Sequence, residues 1–218
     1  FKAKTRAEGL HLITGDAGLH LGTGGEENVK LVDLQKLEFA QMCMVAACAN
    51  KGTNCVIKHF LHYLNAYPNT FEASGYMISF LYIYFLMFEE IRLIKPHTSN
   101  SNSREFYLVG LRFIGIDDKI FQKLMNLLDN FEENQCFFKK TDIPEEFSNQ
   151  VISFMTSIFK ININSIELQS MLINCISNPI SKLDKEDKII CNTYTNYNFI
   201  KKIQTKRYKE WIKTYKFE

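Results

Sequence analysis

The first half of the chain alternates between short apolar segments of strand length and longer segments with helical spacing. This alternation restricts the fold more than any other feature, because strands joined by helices are typical of βαβ units and a parallel sheet. Over residues 30–50 the apolar residues that recur at helical spacing are Leu34, Leu37, Met44 and Cys48. The predicted helices cover residues 30–50 and 71–87, and the predicted strands cover residues 10–14, 53–59, 89–94 and 105–113.

The last two predicted strands are separated only by a loop rich in Ser and Asn, which follows Pro96 and extends over residues 97–104. So short a connection cannot contain a crossover helix, so the two strands are expected to form an antiparallel hairpin. The sequence therefore predicts an α/β sheet that is parallel except at its end.

The second half of the chain has a different character. Asn, Ile and Lys become frequent, and no Gly occurs after Gly115. Helical spacing dominates, with helices predicted over residues 117–133, 145–160, 165–177 and 197–217. We therefore expect two domains, an α/β domain in residues 1–115 and a mainly helical C-terminal appendage in residues 116–218.

Composition and charge exclude several classes of protein. The net charge of +2 neither indicates nor excludes a nucleic-acid partner, because a local basic patch can occur in a nearly neutral chain. The six cysteines have no spacing typical of zinc sites or disulfide frameworks, which favours a reducing compartment such as the cytoplasm. The longest apolar run, residues 76–88, is shorter than the roughly 20 residues that a membrane-spanning helix needs. No signal peptide and no membrane association are expected.

Three charged residues occupy related positions in the predicted sheet. Asp16 follows the first strand, Lys58 lies near the end of the second, and Glu105 begins the last, antiparallel strand. Ligands of open α/β sheets bind beyond the C-terminal ends of the strands, so these side chains are expected to converge on one cleft. Asp16 could instead cap the next helix, and Glu105 could be an exposed edge residue. A Lys within an apolar strand needs a partner or a function, because burying an unpaired ammonium is costly.

The residues around these positions form three motifs. They are Leu-Ile-Thr-Gly-Asp-Ala-Gly at 12–18, Cys-Val-Ile-Lys-His-Phe at 55–60, and Lys-Pro-His-Thr-Ser at 95–99 followed by Ser-Arg-Glu-Phe-Tyr-Leu-Val at 103–109. In this order they resemble the motifs of FtsJ-like ribose 2′-O-methyltransferases. The spacing is most similar to that of cap-type enzymes, including those of large cytoplasmic DNA viruses such as African swine fever virus. The resemblance covers about residues 8–113.

The resemblance implies a fold and a set of catalytic residues. The fold is the C-terminal half of a class I (Rossmann-like) methyltransferase sheet. Asp16, Lys58 and Glu105 correspond to the last three members of the family's Lys-Asp-Lys-Glu tetrad. The first Lys and the Gly-rich cofactor loop are expected upstream of residue 1, in a missing N-terminal half of the domain.

The resemblance also implies ligands. The cofactor is S-adenosylmethionine, held in this chain by Gly15, Asp16 and Ala17, where Ala17 replaces a common Gly and is expected to crowd the cofactor. The substrate is RNA, with capped mRNA as the expected partner. The loop residues expected to contact it are Lys95, His97, Ser99, Ser103 and Arg104.

Several alternatives stay open from the sequence. Lys58 either accepts the proton of the ribose hydroxyl or orients that hydroxyl. The same catalytic residues would serve methylation of ribosomal or transfer RNA. A catalytically inactive methyltransferase fold that binds RNA or protein is the alternative from a different functional class.

Overall fold

A mixed four-stranded sheet forms the centre of the first part of the chain. The computed structural model describes residues 10–18, 30–62, 68, 70–96, 99, 103–177, 205–206, 209–210 and 213. The strands are β1 (Leu12–Gly15), β2 (Asn54–Phe60), β3 (Phe88–Ile94) and β4 (Glu105–Phe113). Their order in the sheet is β1-β2-β4-β3. The helices are α1 (Leu31–Cys48), α2 (Phe71–Met87), α3 (Asp118–Asp129) and α4 (Glu145–Ser177).

The strand directions are those expected from the connections. β1 and β2 are parallel, with Gly15 opposite Ile57. β4 runs antiparallel to both β2 and β3. The expected α/β fold class, with an antiparallel hairpin at the end of the sheet, is confirmed and is compatible with a Rossmann-like methyltransferase fold.

Local signals account for the ends of two helices. The Thr70 hydroxyl accepts a hydrogen bond from the Ala73 N–H at 3.3 Å and caps α2. The Asp117 carboxylate accepts one from the Lys119 N–H at 2.8 Å and caps α3. Both caps provide acceptors for backbone N–H groups that have no partner inside the helix.

Three helical predictions in the second half need correction or lie outside the described residues. The separate helices predicted over residues 145–160 and 165–177 are one continuous helix, α4. The residues between them, Ile161 to Asn164, include no Gly or Pro, so nothing in the sequence interrupts the helical hydrogen bonds. The predicted helix over residues 197–217 lies largely outside the described residues.

The chain divides into two units. The first comprises Phe1–Lys95 with Glu105–Thr156, and the second comprises Pro96–Arg104 with Ser157–Glu218. In the first unit, α3 packs against α1. In the second, the Asn162 side-chain amide donates to the Ser103 carbonyl at 3.3 Å. The domain boundary between residues 115 and 116 stays a prediction.

The main core of the first unit lies on one face of the sheet, where α1 and α2 pack. Alternate residues of β2, among them Cys55, Ile57 and His59, are buried on this face. The other face carries half-buried residues, including Val56, Lys58 and Phe60. The largest fully buried side chains of the unit include Tyr84, Phe39, Phe80, Phe106 and Met42.

The apolar residues that predicted α1 are not its most buried ones. Met44 is 57% exposed, and its fully buried neighbour Met42 lies on the other side of the helix. Instead Leu37, Met44 and Cys48 line an open groove between α1 and β1, together with Leu12. Helix α1 therefore has two apolar faces, one buried in the core and one along this groove.

Candidate active site

Asp16 and Lys58 form an ion pair at the edge of the sheet where β1 and β2 end. Lys58 Nζ lies 2.5 Å from Asp16 Oδ1 and also donates to the Asp16 carbonyl at 3.3 Å. The Lys58 side chain is 15% exposed, whereas that of Asp16 is 80% exposed. The half-buried lysine therefore has the partner that its position in an apolar strand requires.

Glu105 lies at the same edge of the sheet. It begins β4 and is paired in register with Phe60, two residues beyond Lys58, while Lys58 itself is opposite Tyr107. Paired residues and residues two apart share a face, so Glu105 and Lys58 are on the same face of the sheet. The structure thus brings the three charged residues to one sheet edge, as expected from the strand order.

Lys95 is fixed against the beginning of β4. Its ammonium donates to the Glu105 carbonyl at 2.9 Å. Partial burial lowers the pKa of Lys95, and the negative charge of Glu105 opposes that shift. Of the residues predicted to contact RNA, Lys95 is therefore the one that the first unit places beside Glu105.

The remaining predicted RNA contacts belong to the second unit or are not described. Ser99, Ser103 and Arg104 lie in the segment Pro96–Arg104 of that unit, where the Ser99 N–H donates to the Pro96 carbonyl at 3.0 Å. His97 lies outside the described residues. The role of this segment stays a prediction.

The predicted cofactor residues Gly15, Asp16 and Ala17 form the end of β1 and the turn that follows. A Cβ atom on Gly15 would lie 2.7 Å from Gln41 Oε1 and 3.0 Å from Ile57 Cδ1, so only glycine fits there without movement. The Ala17 N–H donates to Gln41 Oε1 at 3.1 Å. This turn is therefore packed closely on α1, while the Asp16 carboxylate points to solvent.

A buried carboxylate supports the chain just beyond Lys58. Glu38 on α1 is 0% exposed. It accepts a hydrogen bond from the Phe60 N–H at 2.6 Å and contacts His62 Nε2 at 2.8 Å. Burial raises the pKa of Glu38, although the contacts with His62 and Phe60 oppose the shift. Glu38 thus satisfies the backbone where β2 ends.

His59 follows Lys58 but points to the opposite, buried face. Its Nε2 lies 3.1 Å from the Tyr84 hydroxyl, and burial lowers the pKa of His59 to about 3, with a smaller contribution from His62. His59 is therefore a neutral part of the core under the site.

Three residues on α1 that support this region were missed in the sequence. Gln35 exchanges two hydrogen bonds of 2.9 Å with Asn134, Glu38 holds Phe60, and Gln41 holds Ala17. They recur every third residue, and two of them are fully buried. Buried polar residues need partners, so this regular spacing of Gln, Glu and Gln in an apolar helix was the signal that could have revealed them.

Neither a metal centre nor a membrane span is found in the parts of the chain that the structure describes. No group of three His, Cys, Asp or Glu side chains there could hold a metal ion. Within the same residues, no helix is long and apolar enough to cross a membrane.

Comparisons with known proteins agree with the motifs. No family model matches the chain. It is 29% identical over 111 residues, half of its length, to "Probable methyltransferase EP424R" of African swine fever virus (isolate Pig/Kenya/KEN-50/1950). It is 25% identical over 164 residues to "Cap-specific mRNA (nucleoside-2'-O-)-methyltransferase 1" of Danio rerio, which covers 75% of the chain. It is also 25% identical over 167 residues, 77% of its length, to "Uncharacterized protein L511" of Acanthamoeba polyphaga mimivirus.

These matches cover only part of each relative, namely 23%, 18% and 20% of its length respectively. The sheet and the ion pair described above lie in the segment of this chain that carries the three motifs. The resemblance is confirmed, and the chain is similar to the family that contains viral methyltransferases and cap-specific mRNA 2′-O-methyltransferases.

Proposed function

We propose that the chain is the catalytic part of an S-adenosylmethionine-dependent RNA ribose 2′-O-methyltransferase that acts on cap-proximal nucleotides of mRNA. The observation that carries the proposal is the Lys58–Asp16 ion pair at the sheet edge where Glu105 begins β4. It is supported by the names of the relatives, which include cap-specific enzymes. The reaction would form a C–O bond between the methyl group and the ribose 2′-oxygen as the C–S bond breaks, with the sulfur leaving as a neutral thioether and the hydroxyl proton passing to solvent.

In this proposal Lys58 orients the ribose hydroxyl. An ammonium group has three hydrogens, and Asp16 accepts two of them through its carboxylate and its carbonyl. Among the described residues the other neighbour of Lys58 Nζ is the Phe60 ring, whose centre lies 5.7 Å away and which accepts no conventional hydrogen bond, so the third hydrogen is available to the 2′-oxygen. Much of the barrier to such a transfer comes from aligning the oxygen with the activated methyl donor. A side chain that holds the hydroxyl in place lowers this barrier, so orientation is the role we assign to Lys58.

Asp16 and Glu105 are assigned supporting roles. Asp16 holds the Lys58 ammonium through the shorter contact. Glu105, on the same face of the sheet, supplies a second carboxylate at the edge of the cleft, with Lys95 fixed on its backbone. Lys95 would contact phosphate or sugar, a contact that positions an RNA strand without reading its bases. RNA contact by the segment Pro96–Arg104 is a separate proposal, which rests on its Ser and Arg residues.

The described residues fit part of a cofactor site. S-adenosylmethionine supplies an activated, positively charged methyl donor. The exposed Asp16 carboxylate is suited to lie near that charge, and Gly15 would contribute backbone to the same site. The Ala17 N–H is already bound to Gln41, so it is not assigned a hydrogen bond to the cofactor.

We further propose that an upstream part of the protein completes the cofactor site. Within the described residues, β1 is an edge strand with one neighbour, β2. The groove beside it exposes Leu12 and Met44, which are 55% and 57% exposed. Unpaired strand edges and apolar grooves are usually covered in stable proteins.

The test is a methyl-transfer assay with the complete protein, using RNAs of one sequence that are capped, uncapped or already 2′-O-methylated at the first nucleotide. The proposal expects transfer to the capped RNA, and loss of transfer when the first 2′-oxygen is blocked. Transfer that is equal on capped and uncapped RNA would overturn the cap assignment.

The alternative, an inactive methyltransferase fold that binds RNA or protein, is favoured by one feature, the Ala17 side chain at a position where the resemblance to the family implies a Gly. Calorimetric titration of S-adenosylmethionine into the complete protein and into Ala17→Gly distinguishes the two. Binding by the wild type supports the enzyme. Binding by Ala17→Gly alone would support the inactive fold.

A further inference from the structure

Gln41 lies on α1, and its side-chain amide spans the ends of two strands. Its Oε1 accepts a hydrogen bond from the Ala17 N–H at 3.1 Å, and its Nε2 donates to the Lys58 carbonyl at 3.4 Å. A single side chain therefore contacts the backbone next to Asp16 and the backbone of Lys58. Those two residues form the ion pair of the candidate active site.

The ion pair alone is poorly suited to fix this geometry. The Asp16 side chain is 80% exposed, and water screens a charge pair in which one partner is so accessible. The position of the Asp16 carboxylate is then determined mainly by the backbone of the turn that follows β1. Gln41 ties this turn to α1 through the Ala17 N–H, in addition to the hydrogen bond that Lys58 donates to the Asp16 carbonyl.

The packing around Gly15 restricts where the amide can lie. A Cβ atom on Gly15 would be 2.7 Å from Gln41 Oε1, so the amide oxygen occupies the space that glycine leaves. Because Gln41 is partly buried on a helix that is fixed in the core, its amide is a rigid reference point for both strand ends.

We propose that Gln41 is a positioning residue that sets the separation of Asp16 and Lys58. It does not touch substrate in this proposal and acts only through the two strand ends. The inference rests on the proposed function for its catalytic consequence, whereas the positioning itself can be measured without any turnover.

The activity test compares Gln41→Met, Asp16→Asn and the double variant in the complete protein. Methionine is similar in length but makes neither hydrogen bond. Because small misplacements at a reacting centre can cost on the order of 100-fold in rate, we expect Gln41→Met to lower kcat roughly 10- to 100-fold. The KM for RNA should change little. Lys36→Met, on the exposed side of the same helix, is the matched control and should leave both constants unchanged.

The double variant separates positioning from a general structural effect. If Gln41 acts through Asp16 and Lys58, its loss costs little once Asp16 is already Asn, because residues that act as a unit are not additive. The double variant should then be about as slow as Asp16→Asn alone. Rate losses that multiply would overturn the proposal.

The second readout is hydrogen exchange at the Ala17 amide, followed by NMR after selective ¹⁵N-alanine labelling. Gln41→Met should speed this exchange at least tenfold, and Lys36→Met should not change it. Unchanged exchange would overturn the positioning claim even if activity falls. If the wild type transfers no methyl group, the proposed function fails, and the exchange measurement still decides the role of Gln41.

If Gln41→Met fails to fold, Gln41→Asn is measured in its place. Asparagine keeps the polar amide but is one methylene shorter, so it cannot reach both Ala17 and Lys58. The same loss of kcat and faster Ala17 exchange are expected, and wild-type values for both would contradict the proposal.

Discussion

The Lys58 ammonium lies 2.5 Å from the Asp16 carboxylate, although the two residues are 42 positions apart and belong to different strands. The contact exists because β1 and β2 are parallel and end at the same edge of the sheet. Both strand ends are supported from α1. Gln41 binds the turn after β1, and Glu38 binds the Phe60 N–H at the end of β2.

The first prediction concerns Lys58. Lys58→Met in the complete protein should lower methyl transfer by a factor of about 10² to 10⁴, the range typical of a lost side chain in proton transfer or orientation of a reacting group. The fold should persist, because methionine keeps the apolar stem of lysine. Asp16→Ala and Glu105→Ala should each cost less. Lys36→Met is the control, and near wild-type turnover of Lys58→Met would contradict the assignment.

The second prediction concerns acid stability. Burial holds the pKa of His59 at about 3, below the value of about 6.5 for an unperturbed histidine. Between these values the unfolded chain binds a proton that the folded protein does not. The contribution of His59 to stability is therefore present above about pH 6.5 and is lost as the pH falls towards 3, by at most about 1.4 kcal/mol per pH unit.

The measurement is urea unfolding of the wild type and His59→Gln at several pH values from 7.5 to 4.5. Because glutamine does not titrate, the stability advantage of the wild type should shrink as the pH falls. His11→Gln, at an exposed histidine, is the control. A constant difference between wild type and His59→Gln over this range would refute the prediction.

The third prediction concerns Glu38, whose contribution to stability changes with pH in the direction opposite to that of His59. Burial raises the pKa of Glu38 in the folded protein, so above the ordinary value of about 4.3 the unfolded chain loses its proton first. The contribution of Glu38 is present below that pH and is lost as the pH rises through the raised pKa. Relative to Glu38→Gln, which keeps an acceptor for the Phe60 N–H, the wild type should lose stability with rising pH.

Urea unfolding at pH 4.5, 6 and 8 checks this prediction, with Glu132→Gln as a control at an exposed carboxylate. A wild type that instead gains stability over Glu38→Gln as the pH rises would mean that the contacts with His62 and Phe60 outweigh burial.

Much of this arrangement could be predicted from the sequence, since strand length, helical spacing and the loop before Glu105 determine which residues reach the sheet edge. β4 begins and ends where expected, and α2 has the predicted bounds. The supporting contacts could not be predicted, because Gln41 and Glu38 bind backbone that is distant along the chain. The apolar residues whose spacing predicted α1 are not its most buried ones, because that helix has apolar residues on two sides.

The fourth prediction concerns the close contact under β1. Gly15→Ala places a methyl group 2.7 Å from Gln41 Oε1 and 3.0 Å from Ile57 Cδ1. Overpacking of this kind typically costs about 1–3 kcal/mol, so the variant should unfold at lower urea concentration. Because Gln41 must move, methyl transfer should fall as well. Gly52→Ala would be strained by its positive φ angle of 87°, so Lys36→Met, on the exposed side of α1, is the control and should change neither stability nor methyl transfer.

A double variant refines that experiment. Gly15→Ala combined with Gln41→Ala removes the clash with the amide, so part of the lost stability should return. Methyl transfer should stay low because the hydrogen bond to Ala17 is absent. Recovery of both properties would contradict the role assigned to Gln41.

The last prediction concerns the groove between α1 and β1. Met44 is 57% exposed there, and Leu12 on the edge strand is 55% exposed. If an upstream part of the protein covers this groove, Met44→Glu should have opposite effects in two contexts. In residues 1–218 alone, the charge should improve solubility, because an exposed apolar surface beside a free strand edge promotes association.

In the complete protein, Met44→Glu should lower stability by about 1–3 kcal/mol, because a charge would be buried without a partner. The segment alone is expected neither to bind S-adenosylmethionine nor to methylate RNA, and the upstream part, attached or added as a separate polypeptide, should restore both. Sedimentation and calorimetric titration of the two forms provide the measurement, with Glu132→Gln as a surface control. A monomeric 218-residue segment that binds the cofactor and modifies RNA would show that the groove needs no cover and that the cofactor site is complete without it.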